Sequence, residues 1–392
     1  MTQQGAGLAS ERDTPRERRF ASTVRPGARV TPERARSHNR ALVLQELYRN
    51  EGMSRADLAR AVGLTRVTIS DLVADLIADG LVLELGVRTD VRPGKPATLL
   101  DINRGGFAIV ALDLSYDSLF RGVVTDLDGT VLHRDQTEVA GVTGAPAVDA
   151  VAELLARLVA AASAPVLGVG VGSPGIVSED GTILSAPNLG WSDVPLRTIL
   201  AERSQLPVLV ANDANAAALA ERTFGGAQDN MMLVRVGRGV GSGLIIGGTL
   251  VRGSHSAAGE IGHVVVGTDG GERCACGKDG CLETWLAIPR LQSRLDGAPH
   301  ADARPLILAA AGERLGIALA PVCGALNLGE VVLSGPLDLL DGTLLGSAAE
   351  TIRSRTMADS HGGPQVRMTT LGRDIVVLGA AVMVLTGQLG VF

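Results

Sequence analysis

One histidine and three cysteines, His263, Cys274, Cys276 and Cys281, crowd into the segments Glu260-Ile-Gly-His263 and Cys274-Ala-Cys-Gly-Lys-Asp-Gly-Cys281. An imidazole and three thiolates are the donor set of a closed tetrahedral structural Zn2+ site, and the intervening glycines let the backbone fold around an ion. Burial alone would not demand three thiols in so short a stretch. Cys323 stands alone in an apolar helical stretch and reads as core packing. Clustering of this kind argues against a disulfide framework. The first 20 residues hold no apolar stretch of a secretory signal, and the longest apolar run, Ile375 to Leu385, is shorter than the ~20 residues a bilayer span needs. A soluble, cytoplasmic protein without membrane partners is expected.

A second constellation lies near the front of the chain. Val43, Leu47 and Tyr48 share a helical face, predicting a helix from about Glu33 to Asn50 that Gly52 ends. Ser54 can cap a short second helix to Val62, with Asp57 three residues on as an acidic capping box. Gly63-Leu64 makes a tight turn. Thr65 then caps a third helix whose core stripe is Ile69, Leu72, Val73, Leu76 and Ile77. That stripe leaves Arg66, Thr68, Ser70 and Asp71 facing outward near the helix start, where a recognition helix meets base edges in the major groove. After Gly80, Leu81–Leu85 and Ala97–Leu100 read as two strands joined by a wing loop that carries Arg88, Arg92, Gly94 and Lys95. Arg92 and Lys95 would meet phosphate. With Thr65, Arg66, Thr68, Ser70 and Asp71 they form the expected DNA-binding set, facing double-stranded DNA.

Charge agrees with that reading. The chain of 392 residues has a net charge of -6, yet residues 1–100 carry 16 Arg and Lys against 12 Asp and Glu, leaving 20 against 30 for the remainder. A basic front on an acidic body suits a DNA-binding module joined to a small-molecule domain. Residues 1–32, rich in Arg, Pro, Gly and Ser and lacking any apolar period, are expected to be a disordered basic tail. With 46% hydrophobic residues the rest must be globular and, with few aromatics, must fill its cores with Val, Leu, Ile and Ala.

From Phe107 onward strands and helices alternate. Phe107–Leu112 and Leu119–Asp126 are strands, Ala147–Ala162 a helix and Val166–Val171 a buried strand, and the α/β pattern continues to a terminal helix. Asp126-Leu-Asp-Gly-Thr130 matches the nucleophile motif of haloacid-dehalogenase-like phosphatases. Those enzymes need a later lysine in order, and Lys278, inside the cysteine loop, is the only one. The motif is read instead as a polar hairpin turn.

With these residues in view, the chain closely resembles the ROK family, named for repressors, open reading frames and kinases, in its repressor branch. The family's zinc signature is matched by His263, Cys274, Cys276 and Cys281 in order. Gly168-Val-Gly-Val-Gly-Ser-Pro-Gly-Ile-Val177, Asn188-Leu-Gly-Trp191, Asn212-Asp-Ala-Asn-Ala-Ala217 and Gly239-Val-Gly-Ser-Gly243 look like family segments in family order. The resemblance spans about residue 101 to the end. It implies an α/β fold in three parts: the tail 1–32, a winged helix-turn-helix over 33–100, and a two-lobed actin- and sugar-kinase-like domain with structural zinc over 101–392. It also implies that Asn212, Asp213, Glu260, His263 and Glu283 hold the hydroxyls of a small sugar. Carboxylates suit that work because they accept paired hydrogen bonds from vicinal hydroxyls.

Asp213 matches the family's catalytic base, but the chain departs from the kinase pattern around it. Where the kinases carry Asp-x-Gly-Gly-Thr, this chain has Asp113-Leu-Ser-Tyr-Asp-Ser118, without glycine and with an added acid. Arg238, in Gly237-Arg-Gly-Val-Gly-Ser-Gly243, replaces a small hydroxyl residue, and a third glycine-rich segment appears as Leu333-Ser-Gly-Pro-Leu337. Asp213 is therefore expected to be a vestigial base. The expected function is a sugar-responsive transcriptional repressor, a homodimer or homotetramer on palindromic operator DNA that a monosaccharide or sugar derivative releases. The alternatives are an active ATP-dependent sugar kinase and a constitutive DNA-binding regulator controlled by a protein partner.

Overall fold

The computed structural model describes residues 31–87, 97–116, 118–267, 270–300, 302–357 and 362–392. The expected tail up to residue 30, and Arg88, Arg92, Gly94, Lys95 and Asp117, lie outside the described residues.

The front of the chain folds as α1 (Pro32–Arg49), β1 (Met53–Ser54), α2 (Arg55–Val62), α3 (Arg66–Ala78), β2 (Val82–Val87) and β3 (Thr98–Ile102). Thr31 caps α1, accepting from the Arg34 N–H at 3.3 Å, and Pro32 opens it, so the helix and its cap take in residues 31 and 32, which were expected to belong to the tail. The capping box on α2 forms: Ser54 Oγ accepts from the Asp57 N–H at 3.2 Å, and Asp57 Oδ2 accepts from the Ser54 N–H at 3.1 Å. Gly63 takes the left-handed turn at φ 68°. The three strands pair antiparallel in the order β1-β3-β2. β3 runs past the expected boundary at residue 100 because Asp101 and Ile102 still pair with Leu83 and Val82. Val43, Leu44, Leu47, Leu58, Ile69, Leu72, Val73 and Leu76 make the core of this unit. Burying each such side chain contributes roughly 1.5–3 kcal/mol.

The rest of the chain builds two sheets on one plan. In lobe 1, β4 (Ala108–Asp113), β5 (Leu119–Thr125) and β6 (Val131–Glu138) form an antiparallel meander, and β7 (Val166–Ser173) and β11 (Val208–Asn212) extend it in parallel on the β4 side. Three short strands, β8 (Ile176–Val177), β9 (Ile183–Ala186) and β10 (Trp191–Val194), form a separate flap. In lobe 2, β12 (Met231–Val236), β13 (Val240–Ile246) and β14 (Thr249–Leu250) repeat the meander, and β15 (Glu330–Ser334) and β16 (Gln365–Met368) repeat the parallel extension. Helices α4 (Ala145–Ala161) and α5 (Leu196–Ser204) cover the outer face of lobe 1. On lobe 2 that role falls to α7 (Leu282–Leu286), α8 (Ile288–Asp296), α9 (Ala303–Leu326), α10 (Leu337–Leu340) and α11 (Thr343–Arg355).

Two helices, α6 (Asp213–Phe224) and α12 (Ile375–Val384), lie between the sheets. Their small side chains allow it. A Cβ on Gly379 of α12 would stand 1.7 Å from the Ala216 carbonyl oxygen of α6, and one on Gly243 of β13 would stand 2.6 Å from the Ala214 carbonyl oxygen. Larger residues would push these layers apart. Among the described residues, α9 and the run Gly372–Leu389 are long and apolar enough to cross a membrane by length and composition. Their windows are 50% and 61% buried inside the protein, as core helices are.

The Asp126–Thr130 segment is the expected hairpin turn. Asp126 Oδ1 accepts from the Asp128 and Thr130 N–H groups at 2.9 and 2.8 Å, and Gly129 supplies φ 79°. Cys323 is buried in α9, as its apolar surroundings predict, and burial pushes its thiol up to about 11.

Candidate functional site

The cleft between the lobes is organised around the start of α6. Asn212 is its N-cap: the side-chain oxygen accepts from the Ala214 and Asn215 N–H groups at 2.9 and 3.1 Å, and Nδ2 donates to the Gly175 carbonyl at 2.9 Å. That leaves one amide hydrogen for a ligand. Asp213 follows in the first turn, where a carboxylate is favoured by the unpaired N–H groups, and it accepts from the Ala214 N–H at 2.8 Å.

A residue that sequence reasoning missed meets it there. Arg235, on β12 of lobe 2, donates through Nη1 to Asp213 Oδ2 at 2.7 Å and through Nη2 to Ser115 Oγ at 2.7 Å. Ser115 in turn donates to Asp113 Oδ1. The other Asp113 oxygen is buried and has no hydrogen-bond partner among the described residues. Arg235 thus ties lobe 2 to the loop after β4 of lobe 1 and engages Asp213. Burial raises the Asp213 carboxyl above its ordinary value, against the pull of Arg235. Position along the strand was the only sequence signal: Arg235 puts a charge in an otherwise apolar run, Met231–Val236.

The cysteine loop stands beside this pair. Ligand atoms of His263, Cys274, Cys276 and Cys281 all lie within 4.8 Å of one another. Cys276 and Cys281 sulfurs are 3.5 Å apart, and Cys274 Sγ is 3.6 Å from His263 Nδ1. The edge of a tetrahedron built on Zn–S bonds of ~2.3 Å is roughly 3.8 Å, so the four donors fit one metal ion. The Lys278 backbone N–H lowers the Cys276 thiol to about 7, whereas burial pushes Cys281 up to about 12. A cation among them is what would bring all three to thiolate. Lys278 Nζ donates to the His263 carbonyl at 3.2 Å, a role inside this loop.

The loop also presents the two glutamates. A Cβ on Gly262 would stand 2.1 Å from the Val240 carbonyl oxygen, so Glu260-Ile-Gly-His263 lies directly on β13. Glu283, at the start of α7, accepts from the Val240 N–H at 3.2 Å and from Cys274 Sγ at 3.6 Å. It comes so close to the neighbouring turn that a Cβ on Gly239 would be 2.6 Å from its Oε2. Desolvation raises the Glu260 carboxyl, opposed by His263 and reinforced by Asp213 and Glu283. The structure therefore brings Asp213, Glu260, His263 and Glu283 into one electrostatic neighbourhood, with Asn212 at its edge. Behind Glu283, Trp285 is stacked by Arg294 and Arg314, each 4.5 Å from the ring centroid. Arg238 lies exposed in the turn between β12 and β13.

At the other end of the molecule, Arg66, Ser70 and Asp71 are exposed on the first turns of α3, as expected. Thr65 is the N-cap, accepting from the Thr68 N–H at 3.2 Å, and the two threonine hydroxyls pair at 2.9 Å. Ser70 Oγ donates to the Arg66 carbonyl at 2.9 Å. Val67, absent from the expected set, is 72% exposed between Arg66 and Thr68. Its place off the core stripe was the available signal, since an apolar residue there can touch a thymine methyl.

The ROK family model matches residues 111–386, and the MarR family model matches residues 37–92. The chain belongs to the ROK family. This ROK chain is 29% identical over 386 residues to the xylose repressor of Caldicellulosiruptor bescii, covering 90% of this chain and 96% of the relative. It is 35% identical over 250 residues to the glucokinase of Halalkalibacterium halodurans, covering 56% and 76%. The crystal structure of a ROK family transcriptional regulator, a homologue of the E. coli MLC protein, superposes with a TM-score of 0.80 at 24% identity, covering 91% of this chain and 97% of that one. That likeness takes in the winged helix unit as well as the two lobes.

Proposed function

We propose that this chain is a sugar-responsive transcriptional repressor that has lost kinase chemistry. What carries the reading is the presence on one chain of an exposed recognition helix and a hydroxyl-binding cleft whose retained base, Asp213, is engaged by Arg235. A general base must be free to take the proton of the attacking hydroxyl. An ion pair to a buried guanidinium opposes that, and the loop after Asp113, without glycine and with an added acid, opposes a nucleotide phosphate. A repressor needs only the binding half of the site. The nearly full-length similarity to a xylose repressor makes D-xylose the first sugar to try.

In this reading Thr65, Arg66, Thr68, Ser70 and Asp71 meet operator bases and sugar-phosphates, while Arg92 and Lys95 of the wing add phosphate contacts. The protein acts in the cytoplasm as a homodimer or homotetramer on a palindromic operator, since two-fold protein symmetry is matched by a two-fold site. His263, Cys274, Cys276 and Cys281 would hold a structural Zn2+, which cross-links the loop when bound. Those four residues thereby fix Glu260 and Glu283, with His263 Nε2 left to donate to the sugar. The sugar acts only through its differential affinity for the DNA-competent and released states.

The experiment is fluorescence anisotropy on DNA from upstream of its own gene, at fixed salt, titrated with D-xylose, other pentoses, hexoses, acetamido sugars and sugar phosphates. Salt-sensitive binding weakened by one sugar is the expected result. Binding indifferent to the whole panel would favour control by a protein partner. The retained Asp213 and the similarity to a glucokinase support the kinase alternative, which a coupled ADP assay on the same sugars tests. Turnover would overturn the proposal.

A further inference from the structure

The helix that starts in the cleft ends beneath the DNA-binding unit. α6 begins at Asp213 and, at 1.5 Å per residue, ends roughly 17 Å away at Phe224. Both ends are fastened to lobe 2. Arg235 of β12 holds Asp213. Near the other end, fully buried Glu221 accepts from Arg367 Nη1 of β16 at 2.7 Å and from Thr369 Oγ1, and Arg367 also pairs with Glu330 of β15. Breaking a buried pair of this kind strands a charge, so the Phe224 end of α6 is tied to lobe 2, while its start continues directly from β11 of lobe 1 at Asn212.

Phe224 then enters an aromatic chain. Its ring is 6.5 Å from that of Phe392 at an interplanar angle of 68°, and Phe392 is 4.7 Å from the ring of Tyr48 at 82°. Both geometries are edge-to-face, the arrangement aromatic rings favour. Tyr48 belongs to α1. Its hydroxyl donates to the Leu127 carbonyl in the Asp126–Thr130 turn, and Arg104, paired with Asp128 of that turn, stands 5.3 Å from its ring centroid. Burial and the neighbouring Asp128 raise the Tyr48 phenol above its ordinary value, which keeps it a donor. Gly129 of the same turn lies under Phe224, where a Cβ would be 3.0 Å from the ring. One turn earlier on α1, Gln45 Nε2 donates to the Gly390 carbonyl at 2.7 Å. From α1, the Arg36–Asp75 and Arg40–Asp79 pairs and the shared core lead to α3 and the residue that follows it.

We infer that α6 carries the state of the cleft to the recognition helix, with Phe224, Phe392 and Tyr48 as positioning residues that set where α1 sits on the sugar-binding body. This rests on the reading that a sugar in the cleft changes DNA binding. Movement of lobe 2 against lobe 1 pulls on the Phe224 end of α6 through Glu221, and the Phe224 ring shifts Phe392 and with it the support of α1. These three rings lie outside the residues proposed to meet sugar and DNA, so their loss uncouples the sites while each site remains.

The test uses the full chain with Phe224→Ala, Phe392→Ala and the conservative Phe392→Tyr. D-Xylose binding is followed by calorimetry, and DNA binding by anisotropy with and without D-xylose. The expected result for both alanine variants is sugar affinity and sugar-free DNA affinity within roughly threefold of the parent. The sugar-induced change in DNA affinity should fall from a typical allosteric factor of ~5–150 to below about twofold, with Phe392→Tyr restoring it. An unchanged sugar response in both alanine variants overturns the inference.

A second arm does not need the sugar. Arg235→Ala, which releases α6 in the cleft, should raise hydrogen exchange over Ala41–Arg49 by about fivefold in the parent chain and not in the Phe392→Ala background. If D-xylose leaves the parent's DNA binding unchanged, the proposed function fails in that respect, and this arm alone decides the inference. Exchange in α1 that ignores Arg235→Ala overturns it.

Discussion

Lobe 1 and lobe 2 share one strand order and meet the cleft with different chemistry. In lobe 1 the chain leaving β4 carries no glycine, and Ser115 accepts from Arg235 while donating to Asp113. In lobe 2 the equivalent turn, between β12 and β13, keeps Gly237 and Gly239, and the Val240 N–H beyond it is held by Glu283 of the cysteine loop. One lobe contributes half of a plug; the other contributes most of the groups proposed to meet sugar hydroxyls. A repeated architecture fixes where the cleft lies, and a few long-range side chains decide what chemistry survives in it.

The largest effect that would sharpen this contrast comes from the cysteine loop. Cys281→Ser should abolish bound zinc, measured by elemental analysis, and cost on the order of 5 kcal/mol, a part of the ~10–16 that structural zinc supplies. Hydrogen exchange should rise around Glu260 and Glu283 and stay constant in β4 and β7. Equal loosening of both lobes would erase the distinction.

Arg235→Ala comes next. It leaves Asp113 and Asp213 facing each other in a buried site and should cost about 3–5 kcal/mol by urea unfolding, with Arg235→Met plus Asp213→Asn recovering much of it. A cost below ~1 kcal/mol would mean that the plug is incidental.

Val67→Ser should weaken operator binding by about 1 kcal/mol, most at a site bearing thymine, and leave sugar binding intact. Equal loss on all DNA sequences would assign Val67 to packing.

The smallest effect is at the edge of lobe 1. Asp374 accepts from Arg134 Nη1 and Nη2 at 2.8 and 2.6 Å and from Arg121 Nη2 at 3.2 Å, and Arg134 foremost holds its carboxyl below the ordinary value. The folded chain therefore binds this proton more weakly than the unfolded chain. Its contribution, about 1 kcal/mol for such a half-exposed cluster, is whole above pH ~4 and declines as pH falls below that. Urea midpoints for Asp374→Asn should converge on the parent's as pH drops, and parallel curves would refute the assignment.

Features carried by local pattern were legible in the sequence. The clustering of His263, Cys274, Cys276 and Cys281 was, because the four sit close together in the chain, and so was the winged helix, because core period and caps are short-range signals. The Asp126–Thr130 turn was read correctly against an enzymatic alternative for the same reason. What escaped is long-range. Arg235 matters only because the fold brings β12 to α6 and to the loop after β4, and Tyr48 looked like a core residue until Phe392 and Leu127 came to meet it. Asn212, expected to face the sugar, spends two hydrogen bonds capping α6 and a third on the Gly175 carbonyl, a role visible only once the helix start was fixed. The boundaries at residues 32 and 100 shifted by a residue or two because caps and strand register, not composition, end these elements.

The most direct test of the central claim is reciprocity. D-Xylose affinity should be measured by calorimetry on the free protein and on the protein saturated with operator DNA. Linkage requires the sugar to bind more weakly to the DNA complex by the same factor by which it weakens DNA binding. The account predicts equal factors of roughly 5–150. Sugar binding that is tight and indifferent to operator would contradict it, leaving a cleft and a recognition helix that share a chain without sharing a state.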